Sequence, residues 1–507
     1  MALRKIYIKK ERIIGRISRT DRTDRTDGTD GTDRTDRTDG TDGTDRTDRS
    51  KKKNIIMENN NQILLGVAEI DITPKSPMQL VGMGRVFVAH DGEKFEYDKR
   101  DKPASEVNDP LKLQATCIIQ ADKKVIILTA DLLYTVALKD VRAAVANACE
   151  ISEESVFYSS THNHNGPCGT DEYSAFLCNR AAECAKQAAA DVRPVKAEHA
   201  CGNFDRLSYD RAEPWGEVDG SIDVIKFTEC ETGRLITMWW NYGCHPCSLS
   251  WDYNKFSADY PGIIRKRVSD ILNTNVPISF LLGCAGNVQP VGMKRFTEPP
   301  QMYLGVPKGD FEMVEKMGEC VAEAGISALE KGARKLDISD LKYEKYNIEL
   351  PIHVNHNIEK MIEIRDGFIN LNSPKLHDSD PTDDLLKDAS GMLSEWVEEI
   401  IDQGDKKNKT RTISGGMISL GDIAVIFTPL EVAWQIGVRI RERSSFPVTL
   451  ISTAALGFES YLTEKKFYEL PIELRPYEAF GLQTMTGYSY TSETPSVFEN
   501  AVISRMI

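Results

Sequence analysis

The stretch Ser159-Ser160-Thr161-His162-Asn163-His164-Asn165-Gly166-Pro167 constrains this chain more than any other. It follows residues 154–158, an apolar segment with the character of a short buried strand, and precedes residues 172–190, an alanine-rich segment with helical character. Two histidines at i and i+2 in a strand-to-helix crossing fall on a loop at the end of a sheet, where α/β enzymes gather their ligands. An isolated His-x-His pair is as compatible with a structural role, because buried imidazoles commonly hydrogen-bond to backbone. The scarcity of histidine tilts that balance. Of 8 histidines in the chain, His162, His164 and His245 lie in glycine- and proline-punctuated turns after apolar runs, the last in Trp239-Trp240-Asn241-Tyr242-Gly243-Cys244-His245-Pro246. Imidazole is the commonest protein ligand for zinc, and a catalytic zinc takes about three protein ligands, often with a carboxylate among them.

Around that loop the pattern alternates between strand and helix. Residues 64–74 read as a strand ending in Asp71-Ile72-Thr73-Pro74, and Asp109-Pro110 opens a strand pair, 111–120 and 125–128, across a hairpin-like turn. Asp131 ends the second strand, where it can serve a site or cap a helix over 136–149; the cap is the favoured reading. Strands over 222–227 and 235–241 deliver His245. A helix from Asp259 to about 272 follows, then a strand at 278–282 that runs into Gly283-Cys284-Ala285-Gly286-Asn287-Val288-Gln289-Pro290. Small residues there let backbone approach a ligand, and exposed amides can hold an oxyanion; a plain tight turn is the alternative. Helical periodicity marks 311–331 and strand character 340–353, while the charged, mostly helical segment 356–404 reads as an insertion or lid. After strand character at 416–427, Glu431 opens a helix to about 443, a place where the helix dipole alone favours a carboxylate. Residues 456–462 form a loop carrying Tyr461. The expected fold is therefore α/β, with mixed β-sheets, flanking helices and a metal site on loops at strand ends.

Residues 1–56 stand apart. From Arg19 to Asp48 the chain repeats Arg/Gly-Thr-Asp triplets with nothing apolar to bury, so disorder is expected, and Met57 is the expected start of the natural protein. This segment carries 16 Lys+Arg against 11 Asp+Glu, which leaves 47 against 66, a net of −19, over residues 57–507. So acidic a surface repels nucleic-acid phosphates and anionic headgroups. No apolar run reaches the roughly 20 residues that span a bilayer, and no signal peptide is visible, so a soluble, cytoplasmic protein without integral membrane association is the expectation. Eleven cysteines scattered through apolar segments fit reduced thiols.

Taken in order, Asp-Ile-Thr-Pro, Thr-His-Asn-His-Asn-Gly-Pro, Gly-Cys-His-Pro, Gly-Cys-Ala-Gly-Asn-Val-Gln-Pro, Pro-Leu-Glu and then Tyr461 resemble the catalytic domain of the neutral/alkaline ceramidase family over roughly residues 64–490. The resemblance implies a single catalytic domain over 57–507 and a Zn2+ ion held by His162, His245, Glu431 and Tyr461. It places His164 where a neighbouring histidine polarises or positions the substrate carbonyl, and an arginine, Arg206 or Arg211, against the substrate. Zinc lowers the pKa of bound water and polarises a carbonyl, so an amide or ester can be cleaved near neutral pH.

Two departures qualify what carries over. The family continues Ala-Gly-Asn-Val with a serine associated with catalysis, whereas this chain has Gln289, which cannot be a hydroxyl nucleophile but can donate a hydrogen bond to an oxyanion. The resemblance ends near residue 490 of 507, so the additional β-sandwich domain of those ceramidases is not expected within this sequence. Three readings follow: a zinc-dependent hydrolase acting through zinc-activated water on an acyl amide or ester, a lipid included; a true ceramidase with an altered site; and a non-catalytic binding protein that retains the fold.

Overall fold

The computed structural model describes residues 62–81, 84–86, 97–99, 102–213, 216–249, 253–290, 311–354, 410–470, 475–476, 478–479 and 488–507. The triplet repeat, Met57 and the expected insertion at 356–404 lie outside them. Residues Asn59–Ile507 form one compact unit, and its described part is built in four layers, helix, sheet, sheet, helix.

The larger sheet has nine strands among the described residues and mixes directions. Leu64–Asp71 pairs antiparallel with Lys112–Gln120, which pairs antiparallel with Lys123–Ala130, which in turn pairs parallel with Val156–Ser160. On the other side Arg193–Asn203 joins Leu64–Asp71 to Ser221–Glu229, followed by Leu235–Tyr242 and, in parallel, Ile278–Leu282. Most of these strands are buried on both faces, which is why they read as apolar runs without clean alternation. The smaller sheet orders Val448–Ser452, Ile423–Phe427, Thr410–Leu420, Leu341–Val354 and Tyr488–Tyr490.

The two sheets face each other through one apolar layer. Ile118, Ile127, Phe157, Phe227 and Trp239 of the first meet Ile418, Val425, Phe427 and Leu450 of the second. Helices Leu138–Cys149, Asp171–Ala190, Asp259–Leu272 and Phe311–Gly332 cover the outer face of the large sheet. Helices Trp434–Arg443 and Thr494–Ile503 cover that of the small one. The mixed α/β expectation holds, and most elements fall within a few residues of where the periodicity put them. Two of the longer strands and a helix escaped it, as did strands of two or three residues such as Arg334–Leu336 and Tyr488–Tyr490. Arg193–Asn203 lies inside the sheet but is interrupted by Pro194, Lys196, Glu198 and His199 and is only partly buried, while Val448–Ser452 is short and Thr494–Ile503 opens on Thr-Pro-Ser. Among the described residues no helix is long and apolar enough to cross a membrane.

The sheets are stitched together at one end. Leu456 donates to Tyr158 O (2.8 Å), Thr453 to Leu282 O (2.9 Å) and Ser160 to Ala454 O (3.2 Å). The Asn241 amide bridges Leu281 O (2.8 Å) and Ile451 O (3.0 Å). The strands Val156–Ser160, Leu235–Tyr242, Ile278–Leu282, Ile423–Phe427 and Val448–Ser452 all release their chains at this end.

Candidate metal centre

His162 leaves the end of strand Val156–Ser160 in a left-handed conformation, φ 62°. A non-glycine residue there is disfavoured by about 1–2 kcal/mol, a strain that persists only where the surroundings fix it. They do so on both sides. Thr161 N donates to Ala130 O (2.8 Å) and Asn163 N to Leu132 O (3.0 Å). The buried Asn163 side chain donates to Ser257 O (2.7 Å) and Asp131 O (3.2 Å) and accepts from Asn165 N (2.9 Å), closing the loop on itself. Asp131 is neither a cap nor a member of the cluster. The helix begins at Leu138 with Ala137 as N-cap, and the Asp131 carboxylate instead pairs with buried Arg265 and accepts from Lys112 N. The chain between strand Lys123–Ala130 and helix Leu138–Cys149 takes seven buried or half-buried residues to turn, which carries the helix start away from Asp131.

His245 follows strand Leu235–Tyr242, its amide donating to Val288 O (3.0 Å). Glu431 sits in a two-residue strand, Glu431–Val432, parallel to Tyr461–Leu462 and in register with Tyr461. The helix starts only at Trp434, so the helix-dipole reading of Glu431 is set aside. Gly286 makes this arrangement possible. Its amide donates to Val432 O (2.9 Å), and any β-carbon on it would press on the Glu431 backbone.

These segments bring three imidazoles and a carboxylate together. The ring centroids of His162 lie 4.9 Å from those of both His164 and His245, and one ring nitrogen from each of the three lies within 4.8 Å of the others. Glu431 Oε2 lies 3.0 Å from His245 Nε2 and 3.2 Å from His162 Nε2. His162, His245 and Glu431 are buried and His164 half-buried.

Tautomers decide what the cluster can do. His162 Nδ1 lies 2.8 Å from Leu133 O, and His245 Nδ1 2.6 Å from Ala285 O and 3.1 Å from Val288 O. Carbonyl oxygens only accept, so each Nδ1 carries the hydrogen, and in the neutral rings each Nε2 turns a lone pair to Glu431. Burial drives His245 below the ordinary imidazole value, to about 4, against the pull of the Glu431 carboxylate. Burial would raise the Glu431 carboxyl, but the charge and hydrogen bonds that His162 and His245 supply when protonated outweigh it and hold the group well below the usual range. Lone pairs and a carboxylate converging at 3.0–3.2 Å call for a cation between them. In a tetrahedral site with bonds of about 2.0–2.1 Å the donor atoms sit roughly 3.3 Å apart, so His162, His245 and Glu431 fit a small divalent metal, with carbonyls behind the rings as outer support.

The remaining expected residues fall as follows. The Tyr461 ring stacks beside His245, centroids 6.3 Å apart. The Arg211 guanidinium lies 4.9 Å over that ring, pairs with buried Glu478 and donates to Gly286 O (2.8 Å). Burial works against the Arg211 charge, yet Glu478, with Tyr461 and Glu431, lifts its pKa well above the ordinary value. Of the two arginines, the structure brings Arg211 to the cluster, whereas Arg206 is exposed on the preceding turn. Gln289 is buried and accepts from the Tyr209 hydroxyl (3.2 Å). The neighbouring turn offers fewer backbone donors than its glycines suggest. Gly283 N, Gly286 N and Val288 N already donate to Tyr242 O, Val432 O and Ala285 O, so these amides are not open to an oxyanion.

Sequence reasoning missed the polar frame around the cluster. Asp210 accepts from Asn287 Nδ2 (2.7 Å), Trp434 Nε1 (2.9 Å) and Gln435 Nε2 (2.9 Å), clamping its own strand end, the glycine-rich turn and the start of helix Trp434–Arg443 together. Asn287 is part of the glycine-rich turn and was within reach of inspection; Glu478, 267 positions from its partner Arg211, carried no local signal.

By sequence, no protein-family model matches this chain and no curated protein does. By structure it is similar to a ceramidase complexed with C2, at TM-score 0.60 and 15% identity over 87% of this chain and 74% of that one. It is similar to the same degree to neutral ceramidase from Pseudomonas aeruginosa, at TM-score 0.60 and 15% identity over 87% of this chain and 73% of that one. The likeness is one of fold, and the ceramidase-like fold implied by the motif order is present.

Proposed function

We propose that this chain is a zinc-dependent hydrolase that cleaves an amide or ester bond. The observation that carries the reading is the convergence of His162 Nε2 and His245 Nε2 on one oxygen of Glu431, with both Nδ1 hydrogens committed to backbone carbonyls. His162, His245 and Glu431 hold the metal, with Tyr461 as fourth ligand, and the similarity of fold to ceramidases supports this chemistry. Zinc bound there supplies Lewis acidity toward a carbonyl and brings the pKa of water toward neutrality.

The chain's own residues do the rest. His164, half-buried beside both ligand histidines, hydrogen-bonds the substrate carbonyl and holds or gives up a proton at that oxygen. Arg211, fixed by Glu478, holds the Tyr461 ring against His245. The Gln289 amide, its oxygen turned to Tyr209, donates from nitrogen to the developing oxyanion in place of a hydroxyl nucleophile. The substrate is an acylated amine or an ester. Ceramide is the narrower reading, supported by the fold and opposed by Gln289. Met57 as the natural start and a single catalytic domain from there complete the proposal, and buried thiols such as Cys117, Cys244 and Cys284 support a reducing, cytoplasmic setting.

Elemental analysis tests the metal. Purified protein is expected to carry about one zinc per chain, and His162→Ala/His245→Ala, with circular dichroism unchanged, to lose it. Absence of metal from both, even after zinc is added back, overturns the hydrolase reading in favour of a fold kept for binding.

A further inference from the structure

Five N–H groups converge on Asp210, a buried carboxylate outside the metal cluster. Asp210 is 1% exposed and ends strand Ser208–Asp210, which pairs antiparallel with Val288–Pro290. Its Oδ1 accepts from its own chain, Ala212 N (2.8 Å) and Glu213 N (3.1 Å), and so turns the backbone around Arg211. Its Oδ2 accepts from three side chains of other segments, those of Asn287, Trp434 and Gln435. Burial raises the Asp210 carboxyl, and these donors work against that shift. Only an ionised carboxylate offers acceptors on both sides. A carboxamide presents one oxygen, and its NH2 group would face N–H donors whichever way it turned.

The two sides lead to different members of the site. On the Oδ1 side lies Arg211, whose amide donates to Asn287 O (2.8 Å) and whose guanidinium donates to Gly286 O (2.8 Å) and sits over the Tyr461 ring. On the Oδ2 side lies helix Trp434–Arg443, whose N-cap, Ala433, supplies no side-chain hydrogen bond. Asn287 takes over that task from 147 positions away: its Oδ1 accepts from Trp434 N (3.0 Å), and its Nδ2 also reaches Gln435 Oε1 (2.9 Å). Asp210 fixes the orientation this requires, because a carboxylate that only accepts draws the nitrogen of the Asn287 amide and turns its oxygen to the helix. Glu431 stands three residues before Trp434, so the point at which the helix is pinned sets where the carboxylate enters the cluster.

Resting on the metal-centre reading above, we infer that Asp210 is a positioning residue: its carboxylate fixes Arg211 and the metal ligand Glu431 relative to each other, by holding the turn at the first and the helix start behind the second. Alanine there leaves five N–H groups without this acceptor, and asparagine can serve either the backbone pair or the side-chain trio. Either change releases Asn287, and with it the approach of Glu431 to His162 and His245.

Zinc affinity of the full-length chain, measured by competition with a chromophoric chelator, and the visible spectrum of its cobalt(II) form test this. Ligand placement moves both readings, whereas a loss of stability in a chain that stays folded moves neither. Asp210→Asn is expected to bind zinc about 10–100-fold more weakly and to give an altered cobalt spectrum. Val145→Ala, which opens a cavity under helix Leu138–Cys149, is expected to lower the urea midpoint and leave both readings as in wild type. Gln435→Glu keeps Asp210 and places a second carboxylate against its Oδ2, where Gln435 Nε2 now donates at 2.9 Å. Gln435 is half-buried, and the variant is expected to lose about tenfold of zinc affinity; it decides the matter if Asp210→Asn does not fold. Wild-type affinity and spectrum in folded Asp210→Asn, or in Gln435→Glu where the first variant does not fold, overturn the inference and leave the metal centre standing. An equal loss of affinity in Val145→Ala also overturns it, since the effect then tracks stability. A wild-type chain that binds neither zinc nor cobalt overturns the inference together with the hydrolase reading.

Discussion

Gly286→Ala separates a metal centre built by the fold from histidines that merely happen to be near one another. A β-carbon on Gly286 would lie 2.9 Å from Glu431 C and from Val432 C, and closer still to Glu431 O. Ordinary van der Waals contact begins at 3.4 Å, so the two backbones must separate by at least about 0.5 Å, the tolerance within which a functional group has to be held. The obstacle is backbone on both sides, so no rotamer change relieves it. Overpacking of this kind destabilises by about 1–3 kcal/mol, and weakening the Gly286 N to Val432 O bond removes about 1 kcal/mol more. The narrower unfolded ensemble of alanine returns about 0.4–1 kcal/mol. The net expectation is a folded protein weaker by about 1–3 kcal/mol, in which Glu431 Oε2 no longer sits on both histidine nitrogens. Zinc affinity, measured by competition with a chromophoric chelator, should fall by about 10–100-fold, the range seen when support behind a ligand is removed. Native-like circular dichroism together with wild-type zinc affinity would refute the argument that Gly286 sets the carboxylate.

Other consequences follow from the polar frame. Arg265→Met strands the buried Asp131 carboxylate and should destabilise by about 3–5 kcal/mol in urea unfolding, with Asp131→Leu added to it restoring most of the loss; an unaltered midpoint for the single variant would discount the pair. Burial raises the Asp259 carboxyl to about 6 from 3.8, so the folded state binds the proton more tightly than the unfolded one. Stability from this group is therefore complete below about pH 4 and is lost as pH rises through about 6, by an amount on the order of 3 kcal/mol. Asp259→Asn should flatten the melting temperature across that window even if it lowers its level, and an identical slope in both proteins would sink the assignment. Gln289→Ala should lower kcat by about a hundredfold with KM and zinc content unchanged if its amide serves the oxyanion; a change in KM alone would make it a binding residue.

What was legible in the sequence was whatever depends on local pattern. Buried strands such as Ile278–Leu282 and helices such as Asp259–Leu272 announce themselves by apolar runs and periodicity, and each site turn is marked by glycine or proline directly after such a run. The division into two facing sheets was not legible, because Phe157 and Phe427 look like core residues of any sheet and only their contact, ring centroids 5.0 Å apart, says that they belong to different ones. Glu431 was found but misplaced, since a carboxylate before an amphipathic helix looks like a dipole partner until the two-residue strand between them is seen. Arg211 could not be told from Arg206 by composition, and its selection depends on Glu478, which lies far along the chain.

The same distribution explains why the centre sits where the sheets are joined. His162 and His245 come from strand ends of the large sheet, while Glu431 and Tyr461 follow strands of the small one. A cation held by both sets would cross-link the two layers at the end where Leu456, Thr453 and Asn241 already tie them. Binding at such a place acts on the docking of one sheet against the other, because the unfolded chain holds no comparable arrangement of donors. Free energy gained by a metal bound there would therefore appear as stability of the apolar layer around Phe157 and Phe427. The left-handed His162, Ala454 and Leu456 are tolerable because this layer, and not the loops alone, holds them in place.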